Sequence, residues 1–120
     1  MPGNRKSNPR LLELIEQLKR HSYENKAPIW KDTASRLSKP RRSWAEVNIS
    51  RISRYAKKDE VILVPGRLLG SGNIDKSVTV ASFHSSETAR RKITDSGGVI
   101  LTIEELMNKN PKGSGVRIMR

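Results

Sequence analysis

The sequence predicts a small α/β domain with an N-terminal helical arm. Three observations carry that reading. Apolar residues recur at helical spacing from Leu11 to Leu18 and again after Pro28. Short runs rich in β-branched residues stand at 61–64, 77–83 and 99–101. Serine and threonine capping signals follow the second and third of these runs, so helices alternate with strands in the second half.

Taken in order, Asn8 suits the cap of a first helix, and Pro9 suits its first position. Leu11, Leu14, Ile15 and Leu18 then line one face, while Glu16 and Arg20 are spaced to pair on the other. The pattern fades near residues 23–26. Pro28 opens a second helix with Trp30, Ala34 and Leu37 on one face, and Pro40 stops it. Asn48 is a candidate cap for a third, with Ile49, Ile52 and Ala56 facing inward and Arg51, Arg54 and Lys58 on another face. Residues 61–64 read as a buried strand that Pro65-Gly66 punctuates. Residues 77–83 read as a second strand. Ser85 or Ser86 suits the cap of a helix through Ile93, closed by Gly97-Gly98. After a strand at 99–101, Thr102 and Glu105 have capping-box spacing, and Leu101 and Leu106 have the spacing of a hydrophobic staple. Asn110-Pro111 ends that helix. Val116 and Ile118 alternate with Arg117 and Met119, as in a last strand. The expected core is Leu14, Ile15, Leu18, Ile62, Val64, Val78, Val80, Leu101 and Leu106.

The 120 residues suit a single domain. Its expected parts are a basic arm at 1–7, a helical basic region at 8–44, and a mixed α/β core with a basic tail at 45–120. Hydrophobic residues are 34% and aromatics 4%, so the core is modest and the surface polar. Cysteine is absent, which excludes disulfide scaffolds, thiol chemistry and zinc fingers. No apolar run approaches the roughly 18–20 residues of a membrane span. The basic start lacks the apolar stretch of a signal peptide, so cytosolic or nuclear residence is expected.

Lys and Arg number 24 against 12 Asp and Glu, for a formal net charge of +12. Residues 1–44 carry +7, residues 45–110 only +2, and residues 111–120 carry +3. A nearly neutral centre between basic ends suits reaching along a polyanion, either nucleic acid or an anionic membrane.

Catalysis finds little support. His21 and His84 are the only histidines, and neither lies in a nucleophile or metal motif. Glu104 and Glu105 are explained by the helix start. The glycine-rich stretch at 66–72 is neither a Walker loop nor a dinucleotide fingerprint. The basic clusters point elsewhere. Lys39-Pro-Arg-Arg42 presents two guanidinium forks stiffened by proline. Trp44, just after it, suits either base stacking or anchorage in the core, and Ala45 and Val47 favour the core. Gly3-Asn-Arg-Lys-Ser-Asn-Pro9 reads as an extended basic arm, without an apolar anchor, that orders on bound phosphate. The loops at 66–72 and 111–115 bring backbone N–H groups close to phosphate, or are ordinary turns. The candidate RNA-binding residues are Arg5, Lys6, Arg10, Lys31, Lys39, Arg41, Arg42, Arg51, Arg54, Arg67, Lys112 and Arg117.

Seven stretches together are distinctive: Asn8-Pro-Arg-Leu-Leu, Ala27-Pro-Ile-Trp-Lys-Asp, Lys39-Pro-Arg-Arg42, Ala45-Glu-Val-Asn-Ile-Ser50, Val64-Pro-Gly-Arg-Leu-Leu-Gly-Ser-Gly72, Val78-Thr-Val-Ala81 and Asn110-Pro-Lys-Gly-Ser-Gly-Val116. In this order and spacing, from Asn8 to Ile118, the sequence resembles the archaeal and eukaryotic large-subunit ribosomal protein family L-eighteen-e. That family is a relative of bacterial ribosomal protein L-fifteen. Its short length makes it similar to archaeal members. The resemblance implies a small mixed sheet with irregular strand–strand–helix units. It implies a structural constituent of the large ribosomal subunit, located on cytoplasmic ribosomes. The implied partners are large-subunit rRNA and neighbouring ribosomal proteins, with no catalysis, cofactor, membrane or small-molecule substrate. Two positions depart from the family pattern: Arg67 stands where lysine is expected, and Ser82 stands in a strand that is usually alanine-rich. The competing readings are a free nucleic-acid-binding regulator, which Pro28 and Pro40 suit poorly, and a small metabolic enzyme.

Overall fold

The structure, a computed structural model, describes residues 8–120. The order of elements is α1 (Pro9–Asn25), α2 (Pro28–Leu37), β1 (Ala45–Asn48), α3 (Ile49–Tyr55), β2 (Val61–Leu69), β3 (Thr79–Ser85), α4 (Glu87–Asp95), β4 (Val99–Thr102), α5 (Ile103–Lys109) and β5 (Val116–Ile118). One 3-10 turn, Arg41–Ser43, joins α2 to β1. The α/β class expected from the sequence is the one observed, and the strand ladders run parallel.

β2 is the central strand. One edge pairs with β3, which in turn pairs with β4. The other is shared end to end: β5 pairs with Val61 to Leu63, and β1 pairs with Gly66 to Leu69. Pro65 lies in the gap. The β3 ladder also jumps there, from Val64 opposite Ser82 to Arg67 opposite His84. Proline has no N–H to donate, and here no ladder asks for one. The expectation that Pro65-Gly66 ends the strand is thus corrected: the strand continues through a bulge. Gly66 is required, because a Cβ at that position would run into the carbonyl of Ala45. β1 itself was not expected. Its four residues are too few to show a period.

Alternation along the strands feeds two cores. Leu63, Ala81, Phe83 and Leu101 face α1, α2 and α5 with Leu11, Leu14, Leu18, Trp30 and Leu106. Ile62, Val64, Val78 and Val80 face the opposite way, towards Ile49, Ile52, Ala89 and Ile93 of α3 and α4. The sheet is therefore sandwiched between helical layers, and all residues expected in the core are buried.

Caps fix the helices. Asn8 Oδ1 accepts from the N–H groups of Arg10 and Leu11 at 3.0 and 3.4 Å. The capping box of Thr102 and Glu105 is complete, with bonds of 2.8 and 3.1 Å. Leu101 and Leu106 are both buried in one core, as a staple requires. Asn48 does not cap α3 with its side chain. Its Oδ1 accepts instead from the Ser71 N–H at 3.2 Å. That bond holds the loop after β2, which crosses to β3 without a helix. Gly72 there has φ 101, and a Cβ would strike Ser50 in the first turn of α3. Lys92 of α4 clasps the same loop by donating to the carbonyls of Gly70 and Gly72 at 2.8 and 2.5 Å.

Arg10 ties α1 to the rest. Its Nε and Nη2 donate to both carboxylate oxygens of Glu104 at 3.0 Å, and Nη1 donates to the Phe83 carbonyl at 2.9 Å. Burial pushes the Glu104 carboxyl up, but the Arg10 hydrogen bonds and charge, with the helix N-terminus, hold it below its ordinary value of 4.5.

Two outcomes are expected. Leu106→Ala removes a buried staple and should cost roughly 2–5 kcal/mol in chemical denaturation; a neutral result would place the staple outside the core. Because the folded pKa of Glu104 is depressed, its contribution is complete above the unfolded value and is lost as pH falls through the folded one. The stability gap between wild type and Glu104→Gln should therefore close on acidification below about pH 4.5, and a gap that stays constant in acid would contradict the ion pair.

Candidate nucleic-acid interface

Near the C-terminal ends of β2 and β3 lies a cleft of about 460 Å³, lined by Asn8, Arg10, Arg41, Trp44, Arg67, Phe83 and His84. The arginines come from three places in the sequence and meet only through the fold. α1 begins here and brings Arg10, β2 brings Arg67, and the 3-10 turn brings Arg41. Trp44 and Phe83 meet edge to face, their centroids 5.3 Å apart. Arg10 Cζ lies 4.2 Å over the Phe83 ring, and Arg41 Cζ lies 5.4 Å from the Trp44 centroid. Trp44 is 7% exposed, and its Nε1 donates to the Lys39 carbonyl at 3.0 Å. It therefore serves as core, not as a base-stacking platform. The aromatic pair is a floor under guanidinium groups.

The cations differ in how much of each remains for a ligand. Three N–H groups of Arg10 are already engaged, although 41% of its side chain is exposed. Arg67 Nη1 makes one looser contact to Glu46, at 3.6 Å. Arg41 and Arg42 stand exposed on the turn, with exposed Lys39 just before them.

A second basic surface lies where α3 meets β5. Arg51, Tyr55, Arg117 and Arg120 line a shallow hollow there. Arg117 Nη1 donates to the Tyr55 carbonyl at 2.7 Å and reaches Glu60 at 3.5 Å. Arg54 lies 6.0 Å from the Tyr55 ring. Lys31 faces a groove between α1 and α2. Lys112 stands on the exposed turn after α5, which Trp30 fastens by an Nε1 bond of 2.7 Å to the Pro111 carbonyl. Arg5 and Lys6, with the rest of the arm expected at 1–7, lie outside the described residues. The loop at 66–72 turns inward: Gly66 sits inside β2, and the Ser71 N–H is bonded to Asn48.

His84, Arg90 and Arg120 were not expected at a binding surface from the sequence. Arg90 lines a hollow beside Arg10 and His84. Its pairing with Arg91 was as visible as that of Arg41 with Arg42, but it sits mid-chain in a nearly neutral segment. Among the described residues, no group of three acidic or histidine side chains gathers as a metal site would need, and no helix is long and apolar enough to cross a membrane.

The family described as "Ribosomal protein 60S L18 and 50S L18e" matches residues 4–120. The large ribosomal subunit protein eL18 of Archaeoglobus fulgidus is 56% identical over 115 residues, covering 96% of this chain and 98% of that protein. Its counterpart from Methanoregula boonei is 56% identical over 115 residues, covering 96% of this chain and 95% of that one. The eL18 of Methanococcus maripaludis is 55% identical over 113 residues, covering 94% of each. Similarity of this extent, along nearly the whole chain, means that the chain belongs to the ribosomal protein family 60S L18 and 50S L18e.

Proposed function

We infer that this protein is a structural constituent of the large ribosomal subunit, where it binds and stabilises folded rRNA. It works on cytoplasmic ribosomes, among rRNA and neighbouring ribosomal proteins, and its role is architectural, not catalytic. The observation that carries the rRNA contact is the cleft in which Arg10, Arg41 and Arg67 converge over the Trp44–Phe83 floor. Stacking and carboxylate partners hold these guanidinium groups in place before RNA arrives, which lowers the entropy cost of phosphate binding. Planar forks match phosphate oxygens, and such contacts read RNA shape more than sequence. Arg51, Arg54 and Arg117 form the second basic surface, at the junction of α3 and β5. Lys39 and Arg42 extend the first along the turn, while Lys31 and Lys112 lie on the α1–α2 side. Two separated basic surfaces suit a protein that braces two RNA segments against each other.

The double substitution Arg41→Ala with Arg42→Ala tests this reading. Both side chains are exposed, so thermal unfolding should stay near wild type. Binding to purified large-subunit rRNA should weaken. The slope of log affinity against log salt should flatten by about 1–2 units, one step for each phosphate that is no longer neutralised. Unchanged affinity and slope would show that the turn serves solubility alone.

A further inference from the structure

We propose that the groove between α1 and α2 is an RNA site of a different kind, which holds one unstacked nucleotide with its base on the Tyr23 ring and adjacent phosphates on Lys19 and Lys31. The proposal rests on the rRNA-binding reading and adds a base contact to it. Tyr23 is 86% exposed, against 54% for Tyr55, the next most exposed large apolar side chain among the described residues. A lone exposed ring is ordinary, but the surroundings of this one are not. Lys19, Ser22 and Tyr23 share one face of α1, and Lys31, Ser35 and Ser38 follow at successive turns along α2 and its end. The short connection between Asn25 and Pro28 folds α2 back along α1, so the two stripes face each other across a groove of about 530 Å³. That is more room than the arginine cleft offers.

The lining chemistry selects the occupant. Among the described residues, two lysines and no carboxylate line the space, so the ligand is anionic. Ammonium groups on flexible stems follow a phosphate wherever the strand puts it, unlike the fixed forks of the cleft. The Ser22 hydroxyl donates to the Ala27 carbonyl at 2.8 Å. The hydroxyl is itself buried, so it fixes the groove wall and the turn into α2. An exposed aromatic face flanked by cations that can reach phosphate is what a splayed-out base needs. A neighbouring ribosomal protein is the competing occupant, and an acidic rim that would pair with its basic side chains is missing from the described lining residues.

The test measures binding of the full chain to purified large-subunit rRNA. Tyr23→Ala should weaken binding about 5- to 100-fold, with the salt slope unchanged, because stacking releases no counterion. Tyr23→Phe keeps the ring and should bind like wild type. Lys19→Gln with Lys31→Gln should flatten the slope by about 1–2 units. All these side chains flank an open groove, and thermal unfolding of each variant verifies the fold. Wild-type affinity for Tyr23→Ala would overturn the proposal. So would a Tyr23→Ala variant that binds rRNA normally but is missing from assembled subunits, since that result assigns the groove to a protein. Failure of the wild type to bind purified rRNA would instead sink the rRNA-binding reading, and the groove with it.

Discussion

Everything in this fold is hung on β2, and β2 depends on one unusual junction. Pro65 stands in the middle of a central strand, where its missing N–H would ordinarily leave a ladder incomplete. The junction works because the ladders on both edges break there together. β5 ends opposite Leu63, β1 begins opposite Gly66, and on the other edge Pro65 and Gly66 together face the single residue Phe83 of β3. Gly66 then lets the backbone of Ala45 come close. The bulge changes the aim of the strand's second half, which carries Arg67 to the rim of the cleft. A rule of local backbone chemistry thus sets the position of a cleft-lining arginine.

Many of the cations serve the fold itself. Arg10 is anchored on Glu104, the Phe83 carbonyl and the Phe83 ring, and it lines the cleft. Lys92 faces inward to two glycine carbonyls, and Lys76 donates to the Ala56 carbonyl at 2.7 Å. Arg117 Nη1 donates to the Tyr55 carbonyl and also reaches Glu60. A formal charge of +12 therefore overstates the number of cations left open to an anionic ligand. Those that close the protein's own backbone gaps have geometry fixed in advance, and those on the 3-10 turn keep their reach.

Most elements were legible because their signals are local. Asn8-Pro9, the Thr102–Glu105 box and the Leu101–Leu106 staple act within about one helical turn, and each forms as its residue types dictate. Misreadings arose where a distant partner decides. Asn48 has the right side chain for a cap, but Ser71 competes for it from the far end of β2. Pro65-Gly66 signals a break in any local reading, and only the end-to-end arrangement of β1 and β5 makes it tolerable. The cleft was legible in its parts: Arg10, Arg41 and Arg67 were each candidates, but no spacing relates residues 10, 41 and 67. The place of His84 beside them carries no sequence signal at all, since it comes from the register of β3 alone.

The shared edge of β2 also has a consequence in time. A ribosome makes β1, β2 and β3 well before it makes β5. Until Val116 to Ile118 emerge, the backbone N–H and C=O groups of Val61 to Leu63 on that edge have no strand beside them. An open parallel edge flanked by apolar residues is a template for any other chain nearby. The final strand is short, but it arrives as a seal: it closes the first half of β2 and sets Met119 into the second core. A nascent chain stalled before that point would carry a nearly complete sheet with one sticky border, where a chaperone or another unfinished copy would find its easiest hold.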